Sequence, residues 1–563
     1  MNEFPPIFEG KFLPVVRSKI NKLFLTIISG VLLGVAFPPI PTGVTAFVAL
    51  VPFLLLLESL DKYGETIRYS YLMLIISHFI IGYWAGGYTE LRDYYLMVGG
   101  TALLLVNPFF YLIAIIAFQF IRKRFSFNVA LLAFPFLWIS IELLRAHTEL
   151  ALPWITLGNT QTYNLPAIQI ASITGVYGVS FWILSINIFI TFVFRKLTLF
   201  NWKINSKPTI WVGIGIVVFY LIPIIYGNIL LKNAEKPTEN PKLKIALIQP
   251  NIDPFEKWEQ SPYEPFALER EMTRSIGENK VDLVIWSETA VPFFLLQENS
   301  RYYLEVLKQQ IDSQQIALLS GIPNIEYYYA GEKAPKSSKI TKEGLRYDSY
   351  NSSMLIRHNN DSIQTYAKML LVPFAERVPY SEELSFLNAM QWNLGLGGWG
   401  LGKKQTVFHF KTDHGDEARV SSLICFESIF PGFVADFVKN GANFLTIITN
   451  DSWWGNTSGA YQHKQYAILR AVENRRWIAR CASGGISCII DPMGNILQSS
   501  KLYTKQIIIG EIELRNDITF YTFHGDWFAE FCLWIAGMCV ASALGKKYYT
   551  TIRKQQGNYN EKY

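Results

Sequence analysis

Three polar residues of types that can cooperate in acyl chemistry stand where apolar, strand-like segments of the sequence end. Glu288 and Cys425 each close an apolar run, and Lys368 precedes a turn marked by proline. A side chain at the end of a strand lies at the rim of a sheet, where a substrate can reach it. A carboxylate can take the proton of a thiol, the sulfur can attack an acyl carbonyl, and an ammonium can stabilise the resulting oxyanion. The three residue types therefore suit nucleophilic catalysis through a cysteine.

Each of these residues alone has a simpler interpretation. A lone cysteine after a strand is more often a small buried hydrophobe, and a lone Glu or Lys more often lies on a solvated face. The simpler interpretation holds for Cys481 and Cys488, which lack His or Cys partners at zinc spacing and are expected in the core. The glycine-rich stretch 395–402 carries no phosphate-binding or dinucleotide fingerprint. We therefore predict no metal and no cofactor.

Four strings around the three polar residues resemble the nitrilase superfamily, whose members use a Glu–Lys–Cys triad. In chain order they are Trp286-Ser287-Glu288, the lysine loop 366–377, Ile424-Cys425-Phe426-Glu427 and Asn450-Asp451-Ser452-Trp453-Trp454-Gly455. The resemblance covers most of 242–515. It implies an αββα sandwich in which Glu288 is the general base, Cys425 the nucleophile and Lys368 the stabiliser of the oxyanion.

The composition of the whole chain indicates a membrane protein. Its 563 residues exceed one compact core, so two or more domains are expected. Hydrophobic residues make up 50% and charged residues 17%, whereas about 25% charge is usual in soluble domains. The net charge of +6 is too small a bias to predict a nucleic-acid partner. Five cysteines do not form a disulfide framework in so long a chain.

Eight apolar segments are each long enough to cross roughly 30 Å of hydrocarbon as a helix. They lie near residues 22–38, 43–60, 70–87, 95–121, 126–144, 166–194, 208–231 and 526–545. Between 232 and 525, short β-rich segments alternate with helix-like ones, as in a layered α/β domain. The predicted organisation is a transmembrane region at 1–231 with about seven helices, a nitrilase-like domain at 232–525, a last transmembrane helix at 526–545 and a cytoplasmic tail at 546–563.

The basic residues of the loops predict the orientation. If the N-terminus is cytoplasmic, that side also receives Lys62, the run 122–124, Arg195 and the lysines of the tail, whereas the opposite short loops hold only Arg92 and Arg145. Basic residues concentrate on the cytoplasmic side of membrane proteins. Both termini are therefore expected in the cytoplasm and the α/β domain outside it.

A nitrilase-like domain inserted before the last of about eight spans resembles the apolipoprotein N-acyltransferase family of the bacterial inner membrane. Two smaller strings agree with this family, Gln249-Pro250-Asn251-Ile252 and Ala375-Glu376-Arg377-Val378-Pro379. The resemblance implies an accessory role for Glu376 and a place in the active-site wall for Trp258 and Glu427. The family commonly has tyrosine after the nucleophile, whereas this chain has Phe426. A hydroxyl contact at that position is therefore absent or supplied by another residue.

The resemblance further implies a two-step acyl transfer without a cofactor. A phospholipid gives an acyl chain to Cys425, and the amine of the diacylglyceryl-cysteine of an apolipoprotein then accepts it, with the bilayer as the third partner and a monomer as the expected state. The membrane suits this chemistry independently of the resemblance. Moving a 16-carbon chain into water would cost about 12 kcal/mol, at roughly 0.8 kcal/mol per CH₂.

Two other functions fit parts of the sequence. A membrane-tethered amidase or hydrolase would use the same triad with water as the acceptor. A transporter with a degenerate outer domain would need charged residues in the middle of its spans, and the spans contain few. The apolar loops at 291–297 and 387–402 are either core pieces or mobile arms that admit lipid.

Overall fold

The computed structural model of the protein describes residues 18–87, 94–199, 206–234, 236, 238–253, 257, 261–277, 280–329, 331–383 and 398–560. A helical region comes first, an α/β region follows, and a long helix closes the chain. The helices of the first region are α1 (Lys19–Val35), α2 (Ala46–Ala49), α3 (Val51–Glu58), α4 (Tyr63–Gly82), α5 (Tyr94–Arg124), α6 (Phe127–Ala146), α7 (Leu165–Ile168), α8 (Ala171–Leu199) and α9 (Lys207–Ala234).

Six helices among the described residues are long and apolar enough to cross a membrane. They span Tyr63–Gly86, Met97–Arg124, Phe127–Ala146, Ala171–Thr198, Thr209–Ala234 and Trp527–Arg553. These helices account for six of the eight predicted segments. Of the other two, α1 has 17 residues, and the segment predicted at 43–60 is divided into short pieces.

The division at 43–60 has a local cause. Pro52 lies in the first turn of α3, and in one continuous helix its ring would collide with the carbonyl of the preceding turn. The break frees backbone groups in an apolar setting, where each must find a partner. Asn187 of α8 provides both partners: its Oδ1 accepts from the Leu50 N–H at 2.9 Å, and its Nδ2 donates to the Ala46 carbonyl at 2.8 Å.

Two stacked β-sheets form the α/β region. Its strands are β1 (Lys242–Gln249), β2 (Leu283–Ile285), β3 (Ala317–Tyr328), β4 (Lys339–Ile340), β5 (Arg346–Arg357), β6 (Gln364–Ala367), β7 (Val407–Lys411), β8 (Glu417–Ile424), β9 (Phe444–Thr449), β10 (Ile478–Ala482), β11 (Cys488–Ile490), β12 (Ile496–Ser499) and β13 (Gln506–Glu513). One sheet has the order β13-β1-β2-β3-β5-β4, with β6 paired to β5, and the other has the order β12-β11-β10-β9-β8-β7. In each sheet three consecutive strands are parallel, β1-β2-β3 and β8-β9-β10.

Alternating side chains of the first sheet divide between two cores. Ile245 and Leu247 belong to the core that includes the second sheet, whereas Ala246 and Ile248 pack with Phe266 and neighbouring helix residues. The helices on that side are α10 (Tyr263–Arg274) and α11 (Arg301–Gln314), and those packed with the second sheet are α12 (Pro431–Lys439) and α13 (Ser458–Asn474). Short α14 (Phe520–His524) and long α15 (Trp527–Asn560) complete the chain. The predicted helical bundle with an αββα sandwich is confirmed.

One hydrophobic core continues from the membrane helices into the sandwich. It includes Phe134 of α6 as well as Leu423 and Ile447 of the second sheet, and Cys481 and Cys488 also lie in it, buried as predicted. The described residues therefore form two hydrophobic cores, and the larger core belongs to both regions.

Helix α13 joins the sandwich to the ends of the membrane helices. The Oε1 of its Gln462 accepts from the indole N–H groups of Trp84 at 3.0 Å and Trp154 at 2.6 Å. The Gln462 Nε2 donates to the carbonyls of Pro38 at 2.8 Å and Ile81 at 3.0 Å. At the other end of α13, the Glu473 carboxylate accepts from the Val176 N–H of α8 at 2.9 Å. The sandwich is thus attached to the bundle by buried hydrogen bonds.

Candidate active site

The nucleophile candidate stands at a strained turn. Cys425 follows β8 and begins the 3₁₀ helix Cys425–Ile429, with φ of +52°. This left-handed conformation costs a non-glycine residue of order 1–3 kcal/mol and persists only when its surroundings fix it. Here the Cys425 carbonyl accepts from the Ser428 hydroxyl at 2.7 Å and lies 3.2 Å from His463 Nε2.

Glu288 follows β2, and hydrogen bonds engage both of its carboxylate oxygens. Oε1 accepts from Asn351 Nδ2 at 2.8 Å and Oε2 from the Asn450 N–H at 3.0 Å. The turn after Glu288 needs glycine on the neighbouring strand: a Cβ at Gly321 would lie 2.4 Å from the Thr289 nitrogen. The carboxylate is therefore held in one orientation and remains 7% exposed.

Lys368 follows β6, and its ammonium lies between two carboxylates. Its Nζ is 2.8 Å from Glu376 Oε1 and 3.4 Å from Glu288 Oε1, and the residue is 1% exposed. Burial alone would lower the pKa of Lys368, but the charges of Glu376 and Glu288 outweigh it and raise this pKa above its ordinary value. The lysine is therefore a permanent cation next to Glu288.

The thiol of Cys425 interacts electrostatically with both of these residues. Burial raises its pKa well above the ordinary value, the Glu288 charge raises it further, and the Lys368 charge opposes the rise. The group is consequently a neutral thiol at pH 7, and a base must take its proton before the sulfur can attack. Glu288 is the carboxylate available for that step.

Glu427 ties the lysine loop to the nucleophile turn. Its Oε1 accepts from the Tyr366 hydroxyl at 2.6 Å and from the Met369 N–H at 2.7 Å. Its Oε2 accepts from the Ile424 N–H at 2.9 Å. Because this carboxylate is fully buried and surrounded by donors, its contacts fix the position of Lys368 relative to Cys425.

A cavity of about 630 Å³ lies beside this site, where the sandwich meets the helix ends. Phe426 and Leu370 line it from the sandwich, and Ala146, Asp526 and Glu530 line it from the ends of α6 and α15. Phe426 and Leu370 adjoin Cys425 and the lysine loop in the chain. The cavity therefore connects the surroundings of the thiol with the edge of the membrane region.

The structure brings most of the predicted site residues together. Glu288, Lys368 and Glu376 form one hydrogen-bonded and ionic cluster, Cys425 is electrostatically coupled to it, and Glu427 lies behind it. Phe426 forms part of the cavity wall, with its ring 5.1 Å from that of Phe430. Trp258 lies outside the described residues. The individual roles of all these residues stay predictions.

Sequence reasoning missed three polar residues at the site. Asn351 donates to Glu288 and, at 3.2 Å, to Glu376, but it lies within β5 and belongs to no motif. The buried Lys257 Nζ donates to Thr289 Oγ1 at 2.9 Å, and the sequence signal that could have found it is its position beside Trp258. His463, which lies in α13 and in none of the quoted strings, contacts the nucleophile turn.

The apolar loop after Glu288 is mostly packed. Val291 and Leu295 are fully buried in the core between the first sheet and α10 and α11. For these residues the structure favours the interpretation as core pieces. In the other loop, positions 387–397 lie outside the described residues.

Within the described ranges, no group of three or more His, Cys, Asp or Glu side chains is arranged to hold a metal ion.

A two-sheet sandwich with Glu, Lys and Cys at strand ends, attached to a membrane bundle, defines a membrane-bound carbon–nitrogen hydrolase-type protein. Residues 244–517 match the carbon-nitrogen hydrolase family, and residues 29–189 match the apolipoprotein N-acyltransferase N-terminal domain. The apolipoprotein N-acyltransferase of Chlorobaculum tepidum is 35% identical over 93% of this chain and 97% of its own. The chain belongs to the apolipoprotein N-acyltransferase family.

The chain is also similar to a second relative and to a solved structure. The apolipoprotein N-acyltransferase of Geobacter metallireducens is 32% identical over 92% of this chain and 94% of its own. Among solved structures, an amidase from Nesterenkonia sp. aligns with 51% of this chain and 96% of its own, at 16% identity and a TM-score of 0.33.

Proposed function

We propose that this protein moves a fatty acyl chain from a phospholipid, through a thioester on Cys425, to the N-terminal amine of the diacylglyceryl-cysteine of apolipoproteins. The observation that carries the proposal is the grouping of Glu288, Lys368 and Cys425 beside a cavity that reaches the membrane helices. The names of the relatives from Chlorobaculum and Geobacter support the same reaction.

In the first step the sulfur of Cys425 attacks the ester carbonyl of the phospholipid. Glu288 takes the thiol proton as the S–C bond forms, and the carbonyl electrons move to oxygen. The Lys368 ammonium stabilises this oxyanion. The oxyanion then collapses, the ester C–O bond breaks, and the protonated Glu288 returns its proton to the leaving alkoxide of the lysophospholipid. A thioester on Cys425 remains.

In the second step the acceptor amine attacks the thioester carbonyl. Glu288 takes a proton from the attacking nitrogen, an oxyanion forms again beside Lys368, and the C–S bond breaks as the amide forms. The released sulfur regains its proton from Glu288, so the enzyme returns to its initial state. Glu376 serves as an accessory residue because its carboxylate, 2.8 Å from Lys368 Nζ, holds the ammonium in place.

The cavity suits a lipid donor. Its apolar wall around Phe426 lies next to the nucleophile, and its other wall is made by helix ends. The apolar side chains of Phe426, Leu370 and Phe430 can therefore cover part of an acyl chain near the thiol. This contact reduces the cost of about 12 kcal/mol for exposing 16 carbons to water. The proposed role of Phe426 and of Trp258 is to form the wall of this passage.

We further propose a location in the bacterial inner membrane, with the sandwich on the periplasmic side and both termini in the cytoplasm. The basic ends of the helices lie together: Arg195 pairs with Glu58, Arg122 donates to the carbonyl of Glu58, and Lys546 Nζ lies 4.6 Å from the Phe125 ring centroid. The sandwich contacts the opposite ends of the helices. The positive-inside rule therefore favours the sandwich on the outer side.

The proposed domain limits are 1–231, 232–525, 526–545 and 546–563. They are supported by the end of α9 at Ala234, the beginning of β1 at Lys242 and the beginning of α15 at Trp527. Helix α15 continues through much of the proposed tail, to Asn560. We propose a monomer as the active state, since the candidate catalytic residues all come from one chain.

The test uses the full-length protein with phospholipid vesicles, with and without a diacylglyceryl-cysteine peptide. We expect mass spectrometry to find an acyl group on Cys425 that neutral hydroxylamine removes, and an N-acylated peptide when the acceptor is present. C425S should lose both products, whereas the matched control C539S should keep them. Free fatty acid without acylated peptide would show a hydrolase instead. Acylation at a residue other than Cys425 would reject the assignment of the nucleophile.

A further inference from the structure

Helix α13 places a buried histidine behind the nucleophile turn. His463 is 1% exposed, and its Nε2 lies 3.2 Å from the Cys425 carbonyl oxygen and 2.8 Å from Ser428 Oγ. The mechanism above does not use this residue. The imidazole nevertheless contacts the backbone of the residue whose sulfur reacts.

An ion pair holds the other side of the ring. His463 Nδ1 is 2.9 Å from Asp451 Oδ1, and Arg480 Nη2 is 2.7 Å from Asp451 Oδ2 and 3.0 Å from His463 Nδ1. Asp451 also accepts from Thr449 Oγ1 at 2.9 Å. Asp451 and Arg480 are fully buried, so the ring is fixed in both position and plane.

The contact with the Cys425 carbonyl determines the direction of the next N–H group. In a planar trans peptide the C=O and N–H bonds point in opposite directions. His463 and Ser428 hold the Cys425 carbonyl on the α13 side, so the Phe426 N–H points away from α13. This N–H lies in the first turn of a 3₁₀ helix, where the helix itself provides no acceptor.

We propose that His463 is a positioning residue of the oxyanion site, which orients and polarises the Cys425–Phe426 peptide so that the Phe426 N–H donates to the oxyanion alongside Lys368. The inference rests on the proposed acyl transfer through Cys425. A hydrogen bond to a peptide carbonyl strengthens the donor at the other end of the same peptide. The inference requires the single ring proton on Nε2. Nδ1 then accepts from Arg480 Nη2, and the neighbouring Asp451 carboxylate accepts from Arg480 and Thr449 and not from the ring.

Two reactions of the same sulfur separate this role from a general effect on the nucleophile. Acylation by a phospholipid forms an S–C bond and places negative charge on the former carbonyl oxygen. Alkylation by iodoacetamide also forms an S–C bond, but iodide leaves directly and no oxyanion develops. Loss of an oxyanion donor therefore slows acylation and spares alkylation.

The test measures both rates on the full-length protein in lipid. Without an acceptor peptide, H463L should acylate Cys425 about 100-fold more slowly, the scale of losing one oxyanion donor, while alkylation changes by less than about twofold. H463Q keeps a donor near the Nε2 position and should recover acylation to within about tenfold of the original rate. Equal loss of both reactions, or unchanged acylation in H463L, would overturn the inference.

Two more variants keep the test decisive if H463L does not fold. S428A removes the other donor to the Cys425 carbonyl and should also slow acylation selectively. Q462L removes an equally buried polar side chain one position away that contacts the bundle instead of the nucleophile turn, and it should leave the ratio of the two rates unchanged.

Failure of the proposed function can be told apart from failure of this inference. If the unmodified protein acylates Cys425 but never produces acylated peptide, the proposed function is refuted. The acylation rate of Cys425, measured without an acceptor, still reports on His463 in that case.

Discussion

Replacement of Lys368 by methionine tests whether the ammonium holds two carboxylates together. Its Nζ lies 2.8 Å from Glu376 and 3.4 Å from Glu288, in a buried site. At an effective dielectric of 20, one such contact has about 6 kcal/mol of gross attraction. After the cost of desolvation, removal of one partner of a buried ion pair destabilises a protein by about 3–5 kcal/mol.

K368M should therefore lower the free energy of unfolding by about 3–5 kcal/mol and abolish acyl transfer. The variant leaves buried Glu288 and Glu376, whose side chain is 16% exposed, as two carboxylates that share one Asn351 amide. The double variant K368M/E376Q removes one of these charges. It should regain at least about 2 kcal/mol of stability, yet remain inactive because the oxyanion still lacks its cation.

The assay combines denaturant unfolding of the purified protein in detergent micelles with mass spectrometry of acylated Cys425. The four proteins of the cycle are the unmodified protein, K368M, E376Q and K368M/E376Q. A coupling energy between the two positions below about 0.5 kcal/mol would refute the reasoning. Recovery of acylation in the double variant would refute the assignment of Lys368 as the cation that stabilises the oxyanion.

Three further predictions concern other residues of the site and the contact between the sandwich and the bundle. E427Q places an amide among backbone and hydroxyl donors, so it should lower the free energy of unfolding by about 2 kcal/mol and slow the acylation of Cys425. Denaturation and mass spectrometry measure these two effects, and unchanged values would contradict the bridging role of Glu427. Burial raises the pKa of Cys425, so its alkylation should be slow at pH 7. The alkylation rate should keep rising at alkaline pH values where the rate of an ordinary thiol has already levelled off. A rate that levels off near pH 7 would contradict the raised pKa. Q462L leaves the Trp154 indole and the Pro38 carbonyl without their buried partner, whereas Trp84 Nε1 still donates to the Ile81 carbonyl at 3.1 Å. This variant should cost about 2–4 kcal/mol in unfolding experiments, while the folded molecules acylate Cys425 at the original rate.

The sequence predicted the architecture where the signal is local. Apolar windows located the long helices. Short β-rich runs that alternate with helix-like ones predicted a layered α/β domain, with Glu288 and Cys425 at the ends of strands. The order of four strings identified the superfamily. In each case the decisive information lies within a few consecutive residues.

Other features depend on contacts that no short window contains. The break near Leu50 is compatible with an apolar environment only because Asn187, 137 positions away, supplies both hydrogen bonds. Asn351 lies inside a strand, and its role follows from its proximity to Glu288 and Glu376 in the folded chain. The pairing of His463 with Asp451 requires the turn after β9 and the start of α13 to come together.

The core that runs from Phe134 in the bundle to Ile447 in the second sheet has a practical consequence for work with this protein. Cutting the chain near 232 and 525 would not release a water-soluble catalyst, because the cut piece would present to solvent the apolar face that now rests on the helix ends. The lost carbonyl and indole partners of Gln462 would add unpaired polar groups to that face. Purification must therefore keep a lipid or detergent belt around the whole chain.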